Sequence, residues 1–188
     1  VTLGDGIVRC GWAVSAPDYL AYHDHEWSVP VHGDDQLFER LCLESFQAGL
    51  SWITILRKRE AFRAAFAGFK IAAVAAFGDS EVLEMMADAS IVRNRQKIEA
   101  VLSNARCARQ VEGGLDALLW SFAPTRHTRP LGNGDVPSST AESLKMAKDL
   151  KGRGFKFFGP VTAYALMQAT GMVDDHISSC WRARVPAG

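Results

Sequence analysis

Apolar residues recur along this chain at helical spacing, and nowhere do they alternate over the length that a half-buried strand needs. Asp34 and Asp35 can cap a helix running to about Ala48, with Leu37, Leu41 and Ala48 on its apolar stripe and Gly49 breaking it. Ser51 can cap the next helix, whose stripe is Trp52, Ile55, Leu56, Arg59 and Phe66. Asp79 and Ser80 open a short helix through Leu83 and Met86. A turn at Asp88-Ala89-Ser90 then leads into a long helix carrying Ile98, Val101, Leu102 and Ala105, stopped by Gly113 and Gly114. Leu115 to Phe122 reads as one more short helix. Pro124 to Pro137, rich in Pro, Gly, Asn and Asp, reads as a loop. Ser139 with Glu142 makes a capping box for a helix ending at Gly152–Gly154. Pro160 suits the first turn of the last helix and Gly171 its end. Phe155 to Phe158 alternates with Lys156 but is too short for a strand. The expected fold is all-α. Its 188 residues suit a single domain over 1–188, or two helical lobes sharing a core.

Hydrophobic residues make up 48% and charged residues 22%, which is too apolar for a disordered chain. Lys and Arg balance Asp and Glu at 21 each, so any nucleic-acid surface has to come from local clusters of charge. No apolar run reaches the roughly 18 residues of a membrane span. The segment Val1 to Gly6 has neither the basic start nor the apolar core of a secretory leader. Four cysteines are too sparse for a disulfide scaffold, which points to a reducing cytoplasm and to metal ligation.

The two ends of the chain carry metal-type residues. Cys10 and His23 lie near the start with twelve residues between them, and His176 and Cys180 lie four apart near the end. On a helix the second spacing puts both side chains on one face. Two thiolates and two imidazoles suit tetrahedral zinc, and a fourth protein ligand would leave no open position, making the site structural. Surface or core residues with no metal fit the spacing of His176 and Cys180 too, and His25 competes with His23. Cys42 and Cys107 fall within helical stripes and read as small buried hydrophobes.

Glu44 lies seven residues after Leu37, three after Leu41 and four before Ala48, in the middle of an apolar stripe. An ionised carboxylate there is costly without donors. Trp12, Tyr19, Tyr22 and Trp27 precede its helix and Trp52 follows it. An aromatic lining with one acceptor suits a flat heterocycle bearing N–H donors or positive charge. A glutamate that caps backbone amides or pairs with arginine, inside an ordinary aromatic core, fits the same residues.

Between the Met86 and Ile98 helices, a tight turn opens a helix start beside Arg93, Arg95 and Lys97, an arrangement suited to phosphate. A second basic run, Lys145, Lys148, Lys151, Arg153 and Lys156, reads as readily as a solvated face.

In chain order, several stretches together resemble the 3-methyladenine DNA glycosylase I family. They are Arg9-Cys10-Gly11-Trp12, Tyr22-His23-Asp24 with Glu26-Trp27, Leu43-Glu44, and Gln47-Ala48-Gly49-Leu50-Ser51-Trp52. Ile91-Val92-Arg93-Asn94-Arg95 with Lys97-Ile98, Arg153-Gly154-Phe155-Lys156-Phe157, Met167-Gln168-Ala169, Gly171-Met172-Val173 and Asp175-His176 follow. The resemblance implies a helix-hairpin-helix glycosylase fold with a structural zinc joining the termini. It implies excision of 3-methyladenine from alkylated double-stranded DNA by a monomeric, monofunctional N-glycosylase without lyase activity. By position, Cys10, His23, His176 and Cys180 become the zinc ligands. Glu44 becomes the residue that reads the flipped base, Tyr22 and Trp52 its stacking partners, and Trp12, Tyr19 and Trp27 the surrounding wall. Gly49 and Leu50 become the element probing the duplex. Residues 88–97, with Ser90, Ile91, Arg93, Asn94, Arg95 and Lys97, become the hairpin that holds the backbone. Three positions depart from the family pattern: Ser45 and Ser90 replace glycines, and Asp174 replaces an asparagine.

The implied chemistry is physically coherent. Alkylation at N3 leaves the purine positively charged, so its departure from C1′ neutralises it and needs little acid catalysis. A non-catalytic, zinc-containing DNA-damage-binding module would keep the hairpin but has no need of Glu44. A zinc hydrolase needs an open coordination position, which a four-ligand set denies.

Overall fold

A computed structural model describes residues 1–184, and its regular structure is helical apart from one isolated bridge between Thr2 and Val8. In chain order the helices are α1 (Pro17–His25), α2 (Asp34–Gln47), α3 (Trp52–Ala65), α4 (Ile71–Ala76) and α5 (Asp79–Ala87). They continue as α6 (Arg95–Ala108), α7 (Leu115–Trp120), α8 (Ala141–Gly152) and α9 (Pro160–Ala169). Short 3₁₀ turns occupy Gly11–Ser15, Ala67–Phe69, Asn133–Asp135 and Trp181–Arg184. No helix of the described residues is long and apolar enough to cross a membrane.

Helix α2 is the hub. It packs against α3, α4, α6, α7 and α9, and every residue from Leu41 to Phe46 is buried. A helix enclosed on all sides carries apolar residues all round, and its polar residues collect at the end that reaches water, here Asp34 to Arg40. Phe46 meets Phe62 of α3 at 4.5 Å between ring centroids, and Phe66 and Phe69 extend the same aromatic stack. Ser45, deep in α2, donates its hydroxyl to the carbonyl of Leu41 at 2.8 Å, so a side chain in place of glycine is accommodated there.

Two helices lack a sequence signature. The nine residues of α1 include Asp18, His23, Asp24 and His25 and have no one-sided apolar face, while α4 has only six residues. Several helix starts also differ from expectation. Asp34 and Asp35 cap neighbours rather than their own helix. Asp34 Oδ1 accepts from the Asp116 amide of α7 at 2.8 Å, Asp116 Oδ2 accepts from the Gly33 amide at 2.6 Å, and Asp35 Oδ1 accepts from Ile71 of α4 at 2.9 Å. The capping box of α8 is Thr140 with Ser143, not Ser139 with Glu142. Gly78 with Glu81 serves α5 in place of Asp79 and Ser80. Ser51 bonds Thr54 Oγ1 instead of the backbone, and the Tyr19 hydroxyl accepts from the Ile53 amide at 2.9 Å. Free N–H groups at a helix start take whichever acceptor packing brings near. Gly171 has a positive φ of 74°, and a Cβ there would lie 2.7 Å from the Pro30 nitrogen. This close approach seats residues 29–30 on the end of α9.

Candidate functional site

Four chain segments converge on one cavity of about 240 Å³. The turn before α1 supplies Trp12, α1 supplies Tyr19 and Tyr22, and Trp27 follows. Helix α2 contributes Glu44 and Gln47, α3 contributes Trp52, and α9 contributes Ala165 and Gln168. The six residues that the sequence assigns to base binding thus meet in one place. Gln47, Ala165 and Gln168 join them. A polar residue within the apolar stretch Ala165 to Ala169 at the end of α9 is the signal for Gln168, of the same kind that singles out Glu44.

Trp12 packs edge-on against Tyr19 at 5.6 Å and Trp27 at 5.1 Å, and Tyr22 is tilted against Trp52 at 5.5 Å. Glu44 is 5% exposed, and none of the described residues hydrogen-bonds its carboxyl. Arg40, one turn earlier, turns instead to Glu26 at 3.4 Å, and Glu26 is held by Arg59 at 2.5 and 2.9 Å. Burial pushes the Glu44 carboxyl up to about 8, with only Arg40 opposing. Burial, and then the nearby Glu44, raise the Tyr22 phenol as well, which keeps it a hydrogen-bond donor. Glu44 is therefore neither a backbone cap nor an arginine partner; its hydrogen-bonding capacity remains available to a ligand.

Beyond Trp27 lies the second cluster. One ligand atom each from Cys10, His23 and Cys180 falls within a 4.8 Å sphere of mutual distances, all three residues buried. The His176 ring sits 4.8 Å from that of His23 and 4.6 Å from Trp27, and its buried Nε2 has no partner. Both imidazoles are oriented from behind: His23 Nδ1 lies 2.7 Å from Asp24 Oδ1, and His176 Nδ1 lies 2.7 Å from Asp174 Oδ1. Such carboxylate–histidine pairs aim Nε2 at a metal. Asp24 also accepts from Arg9 and Trp181, tying the two ends of the chain to one carboxylate. Aspartate at 174 thus still provides an oriented acceptor. His25 is exposed and drops out as an alternative ligand. Cys180 Sγ lies 3.5 Å from His23 Nε2, and the proximity of the two thiols raises the Cys10 thiol and lowers that of Cys180. Two thiols, two oriented imidazoles and one orphaned ring nitrogen fit a Cys₂His₂ metal centre.

The α5–α6 turn divides the residues assigned to the hairpin. Arg93, Asn94 and Arg95 are exposed. Asn94 caps α6 by accepting from the Lys97 amide at 3.1 Å, and Arg95 pairs with Glu99 at 3.3 Å. Ser90 donates from its amide and hydroxyl to Asp88 Oδ1, and Lys58 holds its carbonyl at 2.8 Å. The non-glycine residues at positive φ are Ser28, Ala67, Phe69 and Phe157, so Ser90 needs no glycine conformation. Ile91 and Lys97 do not reach the surface. Ile91 is in the core, and Lys97 is 8% exposed with its ammonium on backbone carbonyls. Side-chain direction, which sequence spacing leaves open at a turn, keeps both of these side chains off the surface.

A larger groove of about 990 Å³ lies along α8, the following turn and the start of α9. Lys145, Lys148, Lys151 and Lys156 edge it, and Phe155 and Phe158 lie in its floor. Ala48 lines it too, two residues from the exposed Leu50, and α9 lines both this groove and the aromatic cavity. The four lysines of the second basic run therefore belong to a shaped surface beside the cavity, while Arg153 pairs with Asp149.

An aromatic cavity with one uncommitted acid, set beside lysine-edged helix turns, defines a helical protein built to hold a flat, electron-poor ring. Comparison with known proteins narrows that class. A family model described as methyladenine glycosylase matches residues 12–183. DNA-3-methyladenine glycosylase 1 of Escherichia coli strain K12 is 45% identical over 177 residues, covering 92% of this chain and 95% of the relative. A crystal structure of 3-methyladenine DNA glycosylase I superposes with a TM-score of 0.89 at 43% identity, covering 93% of this chain and 98% of the other. A variant of 3-methyladenine DNA glycosylase I solved in complex with 3-methyladenine superposes with a TM-score of 0.87 at 35% identity, covering 92% and 96%. The chain belongs to the methyladenine glycosylase family and is a glycosylase. That membership sets aside the non-catalytic module.

Proposed function

We propose that this chain excises 3-methyladenine from alkylated duplex DNA by flipping the damaged nucleotide into the aromatic cavity and hydrolysing its N-glycosidic bond. The observation that carries this reading is the buried Glu44 carboxyl, without a hydrogen-bond partner among the described residues, amid Trp12, Tyr19, Tyr22, Trp27 and Trp52. A relative solved with 3-methyladenine supports it.

Stacking on Tyr22 and Trp52 supplies sequence-tolerant binding, and Glu44 favours the positive charge of the alkylated purine. Departure of that base breaks the bond between its N9 and the sugar C1′, leaves an oxocarbenium-like sugar, and neutralises the ring; water then attacks C1′. The cavity lining contains no lysine, so no amine is positioned for Schiff-base and lyase chemistry. Unmodified adenine, a poor leaving group, survives a catalyst of this modest power.

The protein acts as a monomer on duplex DNA. Its backbone contacts come from Arg93, Asn94 and Arg95 in the hairpin of residues 88–97, at the α5–α6 turn, and from the lysine-edged groove along α8 and the start of α9. Leu50 fills the space that the flipped base leaves, as apolar wedges do. Cys10, His23, His176 and Cys180 hold a structural zinc that clips the two ends of the chain together and supplies no chemistry to the substrate. Incubation of the purified protein with methylated duplex DNA tests the reading: release of free 3-methyladenine without strand scission is expected, and no release overturns it.

A further inference from the structure

Gln168 brings an amide into the cavity from α9, and that amide has a fixed sense. Its Nε2 donates to Asp175 Oδ2 at 2.7 Å. Asp175 is 2% exposed, accepts the Tyr164 hydroxyl at 2.6 Å on the same oxygen, and has His127 Nε2 2.9 Å from its other oxygen. A carboxylate only accepts, so turning the amide over would set oxygen against oxygen. Oε1 accepts from none of the described residues, and it is the atom of this amide left for a ligand.

We propose that Gln168 is a specificity-determining residue whose Oε1 accepts a hydrogen bond from the exocyclic 6-amino group of the bound purine, with Asp175 as the positioning residue that fixes its amide. This rests on the base-excision reading above and names what selects the base. A 6-oxo purine presents an acceptor to the same atom. A buried site built around a fixed polar partner rejects the mismatched analogue far more strongly than an apolar wall rejects a change of size.

The test is binding of two free bases, 3-methyladenine and 3-methylhypoxanthine, followed by the fluorescence of the tryptophans in the cavity. Wild-type protein is expected to prefer the 6-amino base by about tenfold or more, the scale of one mispaired buried hydrogen bond. Gln168→Met, similar in shape but without the acceptor, is expected to lose most of that ratio. Asp175→Asn, whose amide lets Gln168 turn over, is expected to shrink or invert it; a purely structural Asp175 would change melting temperature and leave the ratio alone. Equal binding of both bases by the wild type overturns the assignment whether or not the variants fold, as does an unchanged ratio in Gln168→Met. A protein that releases 3-methyladenine from DNA yet shows no preference loses only this inference. One that neither binds nor releases that base loses the base-excision reading as well.

Discussion

Lys97 donates its ammonium to the carbonyl of Ala48 at 2.5 Å, and to that of Phe46 at 2.9 Å. A lysine in a basic stretch thus fastens the end of α2, where α-helical carbonyls lack partners, immediately before Gly49 at φ +81° and the exposed Leu50. Its pKa is lowered by the burial this requires. Lys97→Met is expected to cost about 1–3 kcal/mol of stability while the salt dependence of DNA binding keeps its slope. Lys148→Ala, at the edge of the α8–α9 groove, is expected to leave stability alone and reduce that slope by about one. Denaturant melts and binding titrations over a range of salt separate the two.

Glu44 gives the reaction a pH dependence of definite sign. With its carboxyl pushed up to about 8 by burial, the group is mostly protonated at pH 7 in the free protein. The carboxylate is the form that favours a cationic purine. The expected kcat/KM on methylated DNA climbs as pH rises through about 8 and then levels, and Glu44→Gln lacks that limb and releases far less base. A flat wild-type profile with full activity in the glutamine variant would remove the charge-based role.

The same burial places a load on the fold. Above pH 4.5, the ordinary value, an unfolded chain gives up the Glu44 proton while the folded one keeps it until about pH 8. Folding stability therefore declines across that window and the loss is absent below it. Glu44→Gln is expected to be more stable at pH 7 by about 1–2 kcal/mol, roughly 2–8 °C in melting temperature at this chain length. The gap should close at pH 4.

The proposed Cys10, His23, His176 and Cys180 centre predicts about one zinc per purified chain. Cys180→Ala, or exhaustive chelation, is expected to lower the melting temperature by about 4–8 °C, the equivalent of roughly 2 kcal/mol. Free-base binding by the surviving folded protein should change little. Metal analysis that finds none, with unchanged melting, would contradict the assignment.

The proposed wedge role of Leu50 separates duplex work from base recognition. It is 41% exposed and lies outside the lining of the aromatic cavity. Leu50→Ala is expected to slow release from duplex DNA by about tenfold or more, a barrier change on the order of 1.4 kcal/mol. Affinity for free 3-methyladenine should remain intact.

Legibility followed physical range. The stripe of α2 was readable because helical periodicity is local, and Glu44 stood out because a charge on an apolar stripe violates a local rule. The helix α1 was not readable: Tyr22 and His23 are buried by partners that approach from α3 and from the far end of the chain, so no one-sided stripe marks them. The donors for Asp34 and Asp35 were equally hidden, since Asp116 and Ile71 reach them only through packing.

By itself the sequence determined an all-helical chain, an acid turned inward among aromatic rings, and two distant Cys/His pairs. Those are properties of spacing and residue type along a few helical turns. Only the tertiary structure decided that Glu44 would keep no protein partner, that His23 rather than His25 would face Cys10 and Cys180, and that Lys97 would turn inward. Each of these depends on which segments meet in space, and burial and orientation arise from that meeting rather than from any one stretch of chain.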